Sequence, residues 1–281
     1  MRFILITFLF LNGLAFGQDN SLLYQIKGKD KKVSYLFGTI HMIPDSLYYF
    51  PGKLDKIVSK SEEIILEVAN LSDQSSVMRL LVLDSGSCFD IFTPQQKDSV
   101  INWGAGLLGI KPELFEKGFE KRKPFTLLQL SFQKMISGKI KMVDMEIENK
   151  AKQNKIPVSG LETVEYQLSI FDKMPSSEMA EMIMDLIRNP NEGEETFQKL
   201  VQSYHKQDLE SLAKLILESD QLGSSADELL DKRNQNWIPK MEELMKTKSC
   251  FFAVGAGHLG GPNGVIQLLR QKGYEVTPVR Y

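Results

Sequence analysis

An excess of charge of either sign is absent from this 281-residue sequence. Lys and Arg together number 34 and Asp and Glu 36, which gives a net charge of -2. Proteins that bind nucleic acid through its phosphates carry a basic excess or a basic patch, and no polybasic run occurs here. The sequence therefore predicts a peptide or small-molecule partner and no nucleic acid.

Cysteine is also scarce, since Cys88 and Cys250 are the only two. The C-x-x-C spacing of zinc and thiol redox sites is missing. A chain of this length can bury a sufficient core without cross-links, and the local sequence gives no sign that the two cysteines lie close together. In an oxidising compartment they could still pair, so both states remain open.

Long apolar segments are missing outside the N-terminus. There, Arg2 precedes an apolar run from Phe3 to Leu11, and the small residues Ala15 and Gly17 follow. This order is typical of a secretory signal peptide, and the run is too short to cross a bilayer. We predict that residues 1–17 are removed and that residues 18–281 form a single domain in the periplasm or outside the cell, with no stable membrane anchor.

Several common catalytic motifs do not occur. The sequence contains no H-E-x-x-H, no G-x-S-x-G and no Walker loop. Zincins, α/β-hydrolases and P-loop enzymes are therefore poor matches.

Four short apolar runs have the composition of β-strands, and each is followed by polar residues. The runs are Val33–Phe37, Ile64–Leu66, Pro157–Leu161 and Cys250–Val254. Strands that alternate with helical patterns indicate an α/β fold with a mostly parallel central sheet flanked by helices. Ligands bind such sheets beyond the carboxyl ends of the strands.

The two ends of the chain resemble each other. Gly38–His41 and Gly255–His258 each place a G-x-x-H motif after a strand, and a helix and a further strand follow both. In the second copy Asn263 is the expected N-cap of the helix, and Gly273 is expected to end it. We interpret the pair as a pseudo-repeat, with chance similarity as the alternative.

The middle of the chain is predicted to be mainly helical. Helices are expected at Asp144–Gln153, Ser176–Arg188 (capped by Ser176, with a Met-rich face in the core) and Phe197–Leu217. The polar stretch Asn189–Glu195 is expected to be a flexible connection. Residues from about 175 to 245 would form a helical insertion on the α/β core.

Gly255, Gly257 and Gly260 match the G-x-G-x-x-G pattern of a dinucleotide site. Gly261 and Pro262 delay the helix that should follow directly, and the only suitable acid, Glu275, opens the next strand instead of ending it. We therefore interpret Gly255 and Gly257 as turn residues with positive φ that present His258.

His41 and His258 are the candidate functional histidines among the three in the chain, because His205 lies in a polar helical stretch. Glu67 ends a strand expected beside the Val33 strand, and Glu162 ends another. Two imidazoles and a carboxylate suit Mn²⁺, Co²⁺, Fe²⁺ or Zn²⁺. The same groups can act without metal, as a histidine base oriented by a glutamate.

Five segments together resemble the TraB/GumN/PrgY family. They are Gly38–His41, Leu66–Val68, Gly160–Gln167, Arg233–Met241 and Ala253–Val279. The resemblance covers nearly the whole chain after the signal segment. The superfamily includes the Tiki metalloproteases, the erythromycin esterases and the haem-binding ChaN proteins, which share an α/β core with two G-x-x-H motifs and an acid.

The resemblance implies a catalytic centre in which His41, His258 and Glu67 hold a divalent metal. Mn²⁺ or Co²⁺ is the first expectation and Zn²⁺ is possible. It also implies a catalytic role for Arg233, which would stabilise developing charge or bind a substrate carboxylate. Asp144 and Glu162 are expected to contact substrate, although Asp144 could instead be a plain helix N-cap. Glu67 or Glu162 is expected to transfer the proton in the reaction.

The sequence thus predicts an exported hydrolase, with a metal-dependent peptidase-like enzyme as the leading hypothesis. A non-catalytic protein that binds haem or a peptide in the same crevice is the alternative from another class. A metal-free esterase stands third.

Overall fold

The computed structural model describes residues 20–29, 32–70, 73–135, 138–217 and 227–281. The signal peptide predicted at residues 1–17 lies outside these ranges. None of the helices in the described ranges is long and apolar enough to cross a membrane.

A six-stranded sheet forms the centre of the fold, with the order β6-β4-β7-β2-β1-β8. A separate antiparallel pair, β3 with β5, follows the His41 segment. The strands are β1 (Leu23–Lys27), β2 (Ser34–Thr39), β3 (Met42–Pro44), β4 (Glu63–Val68), β5 (Ile140–Met142), β6 (Val158–Glu162), β7 (Cys250–Gly255) and β8 (Glu275–Pro278).

Four neighbouring strands, β6, β4, β7 and β2, run parallel. They are the four strands predicted from the sequence, and their bounds differ from the prediction by one or two residues. The expected pairing of β4 with β2 is wrong, because β7 lies between them and pairs with both. Three of them, β4, β7 and β2, lie inside the sheet and are buried, which explains their continuous apolar runs. β6 is at the edge of the sheet and is only partly buried.

Twelve α-helices surround the sheet in the described ranges. They are α1 (Gly52–Lys60), α2 (Gln74–Leu80), α3 (Pro94–Leu108), α4 (Pro112–Phe119), α5 (Phe125–Met135), α6 (Val143–Gln153), α7 (Val164–Lys173), α8 (Ser176–Arg188), α9 (Pro190–His205), α10 (Leu209–Leu217), α11 (Lys232–Met245) and α12 (Val265–Gln271). The fold is therefore the predicted α/β arrangement of a mostly parallel sheet between helices.

The alternation of side chains along the strands separates two cores. Ile65 and Phe252 point to one face, where they pack with α11 and α12. Their neighbours Ile64 and Phe251 point to the other face, where they pack with α1 and α6. The period of two in a strand produces this division, and it fixes α11 and α12 over one face of the sheet.

A third apolar cluster joins α3, α5 and α8. The methionines Met179 and Met184 are buried in it, so the Met-rich face of α8 is core, as predicted. The predicted cap is wrong, because Pro175 is the N-cap and makes no side-chain hydrogen bond.

Two predictions for the helices that follow are also wrong. The stretch Asn189–Glu195 is not a flexible connection, because α9 begins at Pro190, whose fixed φ suits a first helical turn. The single helix predicted at Phe197–Leu217 is two helices. Gln207 has a φ of 54°, which interrupts the helix between them. The Asp208 side chain then accepts a hydrogen bond from the Ser211 amide at 3.1 Å, at the start of α10.

The ends of α12 confirm one expectation and correct another. Gly273 adopts a φ of 86° just after the helix, which is the usual glycine stop. The N-cap is Gly264 instead of Asn263, and the Asn263 side chain donates to Asp231 instead.

Cys88 and Cys250 are both free and buried. They belong to different apolar clusters and are not paired in this structure.

Candidate active site

The carboxyl ends of the four parallel strands bring the predicted residues to one edge of the sheet. In spatial order across the sheet, Glu162 ends β6, Glu67 lies near the end of β4, His258 follows β7 and His41 follows β2. Parallel strands present their carboxyl ends together. Residues more than 200 positions apart in sequence are therefore neighbours here.

Glu67 is the centre of this group. Its Oε1 lies 3.9 Å from Nε2 of His41 and 3.7 Å from Nε2 of His258. The same oxygen accepts from the backbone amide of Gly255 at 2.7 Å, while Oε2 accepts from Arg233 at 2.5 Å. Both histidines therefore turn the same ring nitrogen towards one carboxylate oxygen.

Gly255 leaves the space in which these groups meet. A Cβ on this residue would lie 3.0 Å from Nε2 of His41 and 3.2 Å from Oε1 of Glu67. Its φ is −53°, and Gly257 also lacks positive φ. The prediction of left-handed turn residues is thus wrong for both, and the close approach of side chains is what requires glycine at position 255.

His41 is held from the other side by Asp144. The Asp144 Oδ2 lies 2.8 Å from Nδ1 of His41, and Oδ1 accepts from the Thr39 hydroxyl at 3.0 Å. Loss of water around the ring nitrogens lowers the pKa of His41, but the Asp144 carboxylate, with Glu67, outweighs this and raises the pKa to about 9. The ring is 56% exposed, so a cationic imidazole faces solvent at neutral pH.

His258 is in the opposite environment, although it occupies the matching motif position. Its Nδ1 lies 2.7 Å from Oδ1 of Asn234, and its Nε2 lies 3.1 Å from Nη1 of Arg233. Burial lowers the pKa of His258 to about 3, against the opposing effect of Glu67. Because guanidinium only donates, Nε2 is the acceptor and Nδ1 carries the proton.

Arg233, at the start of α11, joins the two glutamates. It donates to Oε2 of Glu67, and to Oε1 of Glu162 from both Nε (2.9 Å) and Nη2. Burial works against its charge, but Glu67 and then Glu162 outweigh this and raise its pKa. The guanidinium side chain is only 9% exposed, so it acts on groups inside the protein.

Glu162 has partners on both oxygens. Besides Arg233, Oε1 accepts from Gln167 at 2.7 Å, and Oε2 accepts from the indole N–H of Trp237 at 3.0 Å. The next residue, Thr163, caps α7 by accepting from the Tyr166 amide at 3.2 Å, which fixes the direction in which Gln167 projects. Glu162 thus anchors Arg233 at the sheet edge.

Four residues of the site were not singled out in the sequence, namely Thr39, Gln167, Asn234 and Trp237. Gln167 donates to Glu67 at 3.1 Å as well as to Glu162. Arg233, Asn234 and Trp237 lie on one turn of α11, where a spacing of four residues returns to the same face. The segment RNQNW could therefore have indicated the site from the sequence, because its Arg, first Asn and Trp fall within one helical turn. All three side chains are buried.

The donor set suits a divalent cation in its chemistry. Both Nε2 atoms face Glu67, and each Nδ1 is held by an acceptor, Asp144 or Asn234, as in most metal-ligating histidines. Ligands of a tetrahedral ion at ~2.1 Å lie about 3.4 Å apart, so the distances of 3.7 and 3.9 Å are slightly too wide. In the described ranges no group of three or more His, Cys, Asp or Glu side chains is placed to hold a metal ion.

Comparisons with known proteins show similarity over most of the chain. The profile of the TraB/PrgY/gumN family matches residues 22–278. Metalloprotease TIKI1 of Danio rerio is 24% identical over an alignment 314 positions long, which covers 92% of this chain. Metalloprotease TIKI2 of Xenopus tropicalis is 52% identical over 52 residues, 17% of this chain, and TIKI2 of Danio rerio is 44% identical over a segment of the same length.

These curated relatives are longer than this chain. The match spans 63% of Danio rerio TIKI1 and 10% of each TIKI2 protein. No solved structure matches.

Proposed function

The chain belongs to the TraB/PrgY/gumN family, and on that premise we propose that it is a peptidase-like hydrolase. The observation that carries the proposal is the convergence of two imidazole Nε2 atoms on Oε1 of Glu67. Two histidines and a glutamate are a ligand set of hydrolytic metalloenzymes. The relatives named as metalloproteases support the same class of reaction.

We extend the proposal to a divalent metal held by His41, Glu67 and His258, with Mn²⁺ or Co²⁺ first. When bound, such an ion would polarise a substrate carbonyl and lower the pKa of a water molecule. Asp144 and Asn234 keep the two rings aimed at Glu67, each by holding a proton on Nδ1. The raised pKa of His41 means that this residue must give up its Nε2 proton before it can ligate.

Arg233 has a separate part in the proposal. It neutralises Glu67 and Glu162, two buried carboxylates that would otherwise repel a negatively charged reaction centre. Its Nη1 also contacts Nε2 of His258, so His258 would hold a metal ion only if this contact opened. The site then gains one cation and keeps a second one nearby to stabilise developing negative charge.

A metal-free hydrolase is the second candidate, and the same contact favours it. With Arg233 on the His258 lone pair, a protein-borne cation already occupies the centre. In this reaction water attacks the carbonyl carbon and releases its proton to solvent. The exposed, protonated His41 donates its Nε2 proton to the leaving group as the bond to that carbon breaks, with Asp144 holding the ring. The haem-binding alternative has less support, because His258 is 4% exposed and its Nε2 is taken.

Residues 1–17 have the composition of a signal peptide, and we propose on this basis that the protein acts in the periplasm or outside the cell. A fusion of residues 1–30 to a reporter enzyme that is active only after export tests the location. Reporter activity that survives deletion of residues 3–11 would refute it.

The proposed activity is tested with a mixed peptide library and mass spectrometry. Chelator-stripped protein is assayed alone and with Mn²⁺, Co²⁺ or Zn²⁺, beside His41→Gln and His258→Gln variants. We expect cleavage that depends on added metal and falls at least about a hundredfold in both variants. Metal-independent cleavage lost only in His41→Gln would favour the second candidate, and cleavage by both variants at the wild-type rate would refute both.

A further inference from the structure

An aromatic cavity of about 200 Å³ lies beside the His41 segment. Most of its lining consists of aromatic rings, namely Phe37, Tyr48, Tyr49, Phe50, Tyr204 and Tyr281. No role has been given to this cavity in the preceding sections.

The wall of the cavity is shared with the candidate active site. Ile43, two residues after His41, lines the cavity, and so does Val143, which directly precedes Asp144. The Val143 amide donates to the His41 carbonyl at 3.1 Å, so the backbone between these residues separates the two spaces. Burial raises the pKa of Tyr204, and the Asp144 carboxylate adds to this rise, which agrees with a short separation.

The lining also limits what can bind. None of the residues that form it in the described part of the chain is Asp, Glu, Lys or Arg. Lys141 and Lys150 lie over the rings of Tyr48 and Phe50, so a cationic group would lose its hydration and gain no ionic partner from the lining. A volume of 200 Å³ is below the ~300–1,000 Å³ of sites that enclose whole small ligands. The space suits one side chain, and rings pack favourably against rings.

The mouth of the cavity carries exposed apolar residues. Tyr49 is 72% exposed and Leu47 is 43% exposed. Large aromatic side chains left in water beside a cleft are typical of binding surfaces. This rim offers contact area before the occupant enters.

We propose that this cavity is a subsite that receives one uncharged aromatic side chain of the peptide substrate. An extended chain advances ~3.3 Å per residue, and Ile43 in the cavity wall is two residues from His41, which lies just before β3. The aromatic residue therefore lies within about two residues of the reacting bond. This inference rests on the proposed function, because it names the substrate class of the same centre.

A binding measurement separates the subsite from catalysis. Ligand-observed NMR titrations of the whole protein use three probes, the N-acetyl amides of phenylalanine, alanine and lysine. Burial of the ring predicts roughly tenfold or greater preference for the phenylalanine probe over the alanine probe. The lysine probe is expected to bind no better than the alanine probe.

Tyr49→Ser tests the position of the probe, and Leu114→Ser is the matched control. Leu114 is also an exposed apolar residue, at 59%, but it lies on α4 and does not line the cavity. We expect Tyr49→Ser to weaken binding of the phenylalanine probe severalfold and Leu114→Ser to leave its affinity unchanged. Equal affinity for the three probes, or full affinity in Tyr49→Ser, would overturn the subsite.

The outcomes for the subsite and for the proposed function are distinguishable. Aromatic binding in the expected pattern without hydrolysis of any peptide would leave the subsite standing and refute the hydrolase. Hydrolysis without preference for an aromatic residue near the cleaved bond would retain the hydrolase and remove the subsite.

Discussion

Nη1 of Arg233 lies 3.1 Å from Nε2 of His258, so a guanidinium cation rests on the lone pair that a metal ion would use. The same guanidinium also bonds to Glu67 and Glu162. A single side chain therefore sets the charge balance of the whole site. Its removal has consequences for stability that can be separated from those for activity.

Arg233→Met is expected to destabilise the protein by about 3–5 kcal/mol, because it leaves two buried carboxylates unpaired. Urea unfolding measures the loss. Arg233→Met combined with Glu162→Gln should recover part of it, since one of the unpaired charges is then gone. A double variant no more stable than the single one would contradict this account of the pair.

Stability should depend on pH through His258. Its pKa in the folded chain is about 3, against an ordinary value of 6.5, so the unfolded chain binds a proton between these values and the folded chain does not. The free energy of unfolding should therefore fall as pH decreases below about 6.5, by up to ~1.4 kcal/mol per pH unit. Unfolding from pH 6 to pH 5 checks this slope, because the opposing contribution of His41 is then nearly complete and most carboxylates are still ionised.

His258→Gln is the control for that experiment. The variant should be less stable than wild type at pH 7, and its stability should change less between pH 6 and pH 5. An unchanged slope in the variant would assign the pH dependence to other groups.

The contribution of His41 to stability should have the opposite pH dependence. Its folded pKa of about 9 lies above the ordinary 6.5, so its contribution to stability is complete below pH 6.5 and is lost as pH rises through 9. NMR titration of the chelator-treated protein measures this pKa directly, because only three histidines are present. Asp144→Asn should move it down towards 6.5.

Thr39→Val is the matched control for Asp144→Asn. It removes the hydrogen bond to Asp144 but leaves the carboxylate beside His41. The pKa of His41 should remain well above 6.5 in this variant. A wild-type His41 that titrates near 6.5 would refute the ion pair.

Gly255→Ala should disrupt the site. The added methyl group would meet His41 and Glu67, two groups held in place by further bonds. We expect at least a tenfold loss of kcat/KM with a folded protein. Gly257→Ala is the control, since its Cβ would meet Cδ1 of Ile216, the end of a flexible side chain, at 3.0 Å, and otherwise Cγ2 of Ile216 and Leu230 at 3.5 Å or more. This variant should stay near wild type in the same assay.

Much of this site follows from the sequence, because local patterns determine strands and their ends. Glu67, Glu162 and the two G-x-x-H histidines each come at or just after an apolar run, and parallel pairing then collects them at one edge. The order of the strands could not be predicted from the sequence, because the pairing of β7 with both β4 and β2 joins segments far apart along the chain. The roles of Gly255 and Asn234 also depend on that order, since they arise only from contacts across the sheet edge.

The difference in pKa and burial between His41 and His258 could not be predicted from the sequence either. Their motifs match, but His41 pairs with an acid from α6 and stays exposed, whereas His258 lies beneath α11 beside Arg233 and Trp237. Burial and partner charge set a pKa, and both depend on which helix covers each strand end. The helix break at Gln207 was missed for a related reason, because nothing in the composition marks a left-handed residue there.

Cobalt binding tests the central claim most directly. Chelator-stripped protein is titrated with Co²⁺ by calorimetry and by visible absorption, beside His41→Gln/His258→Gln and Asn234→Ala. The account predicts one ion per chain, no binding in the double variant and ten- to hundredfold weaker binding in Asn234→Ala. No binding by the wild-type protein, or equal binding by the double variant, would contradict a metal held by His41, Glu67 and His258.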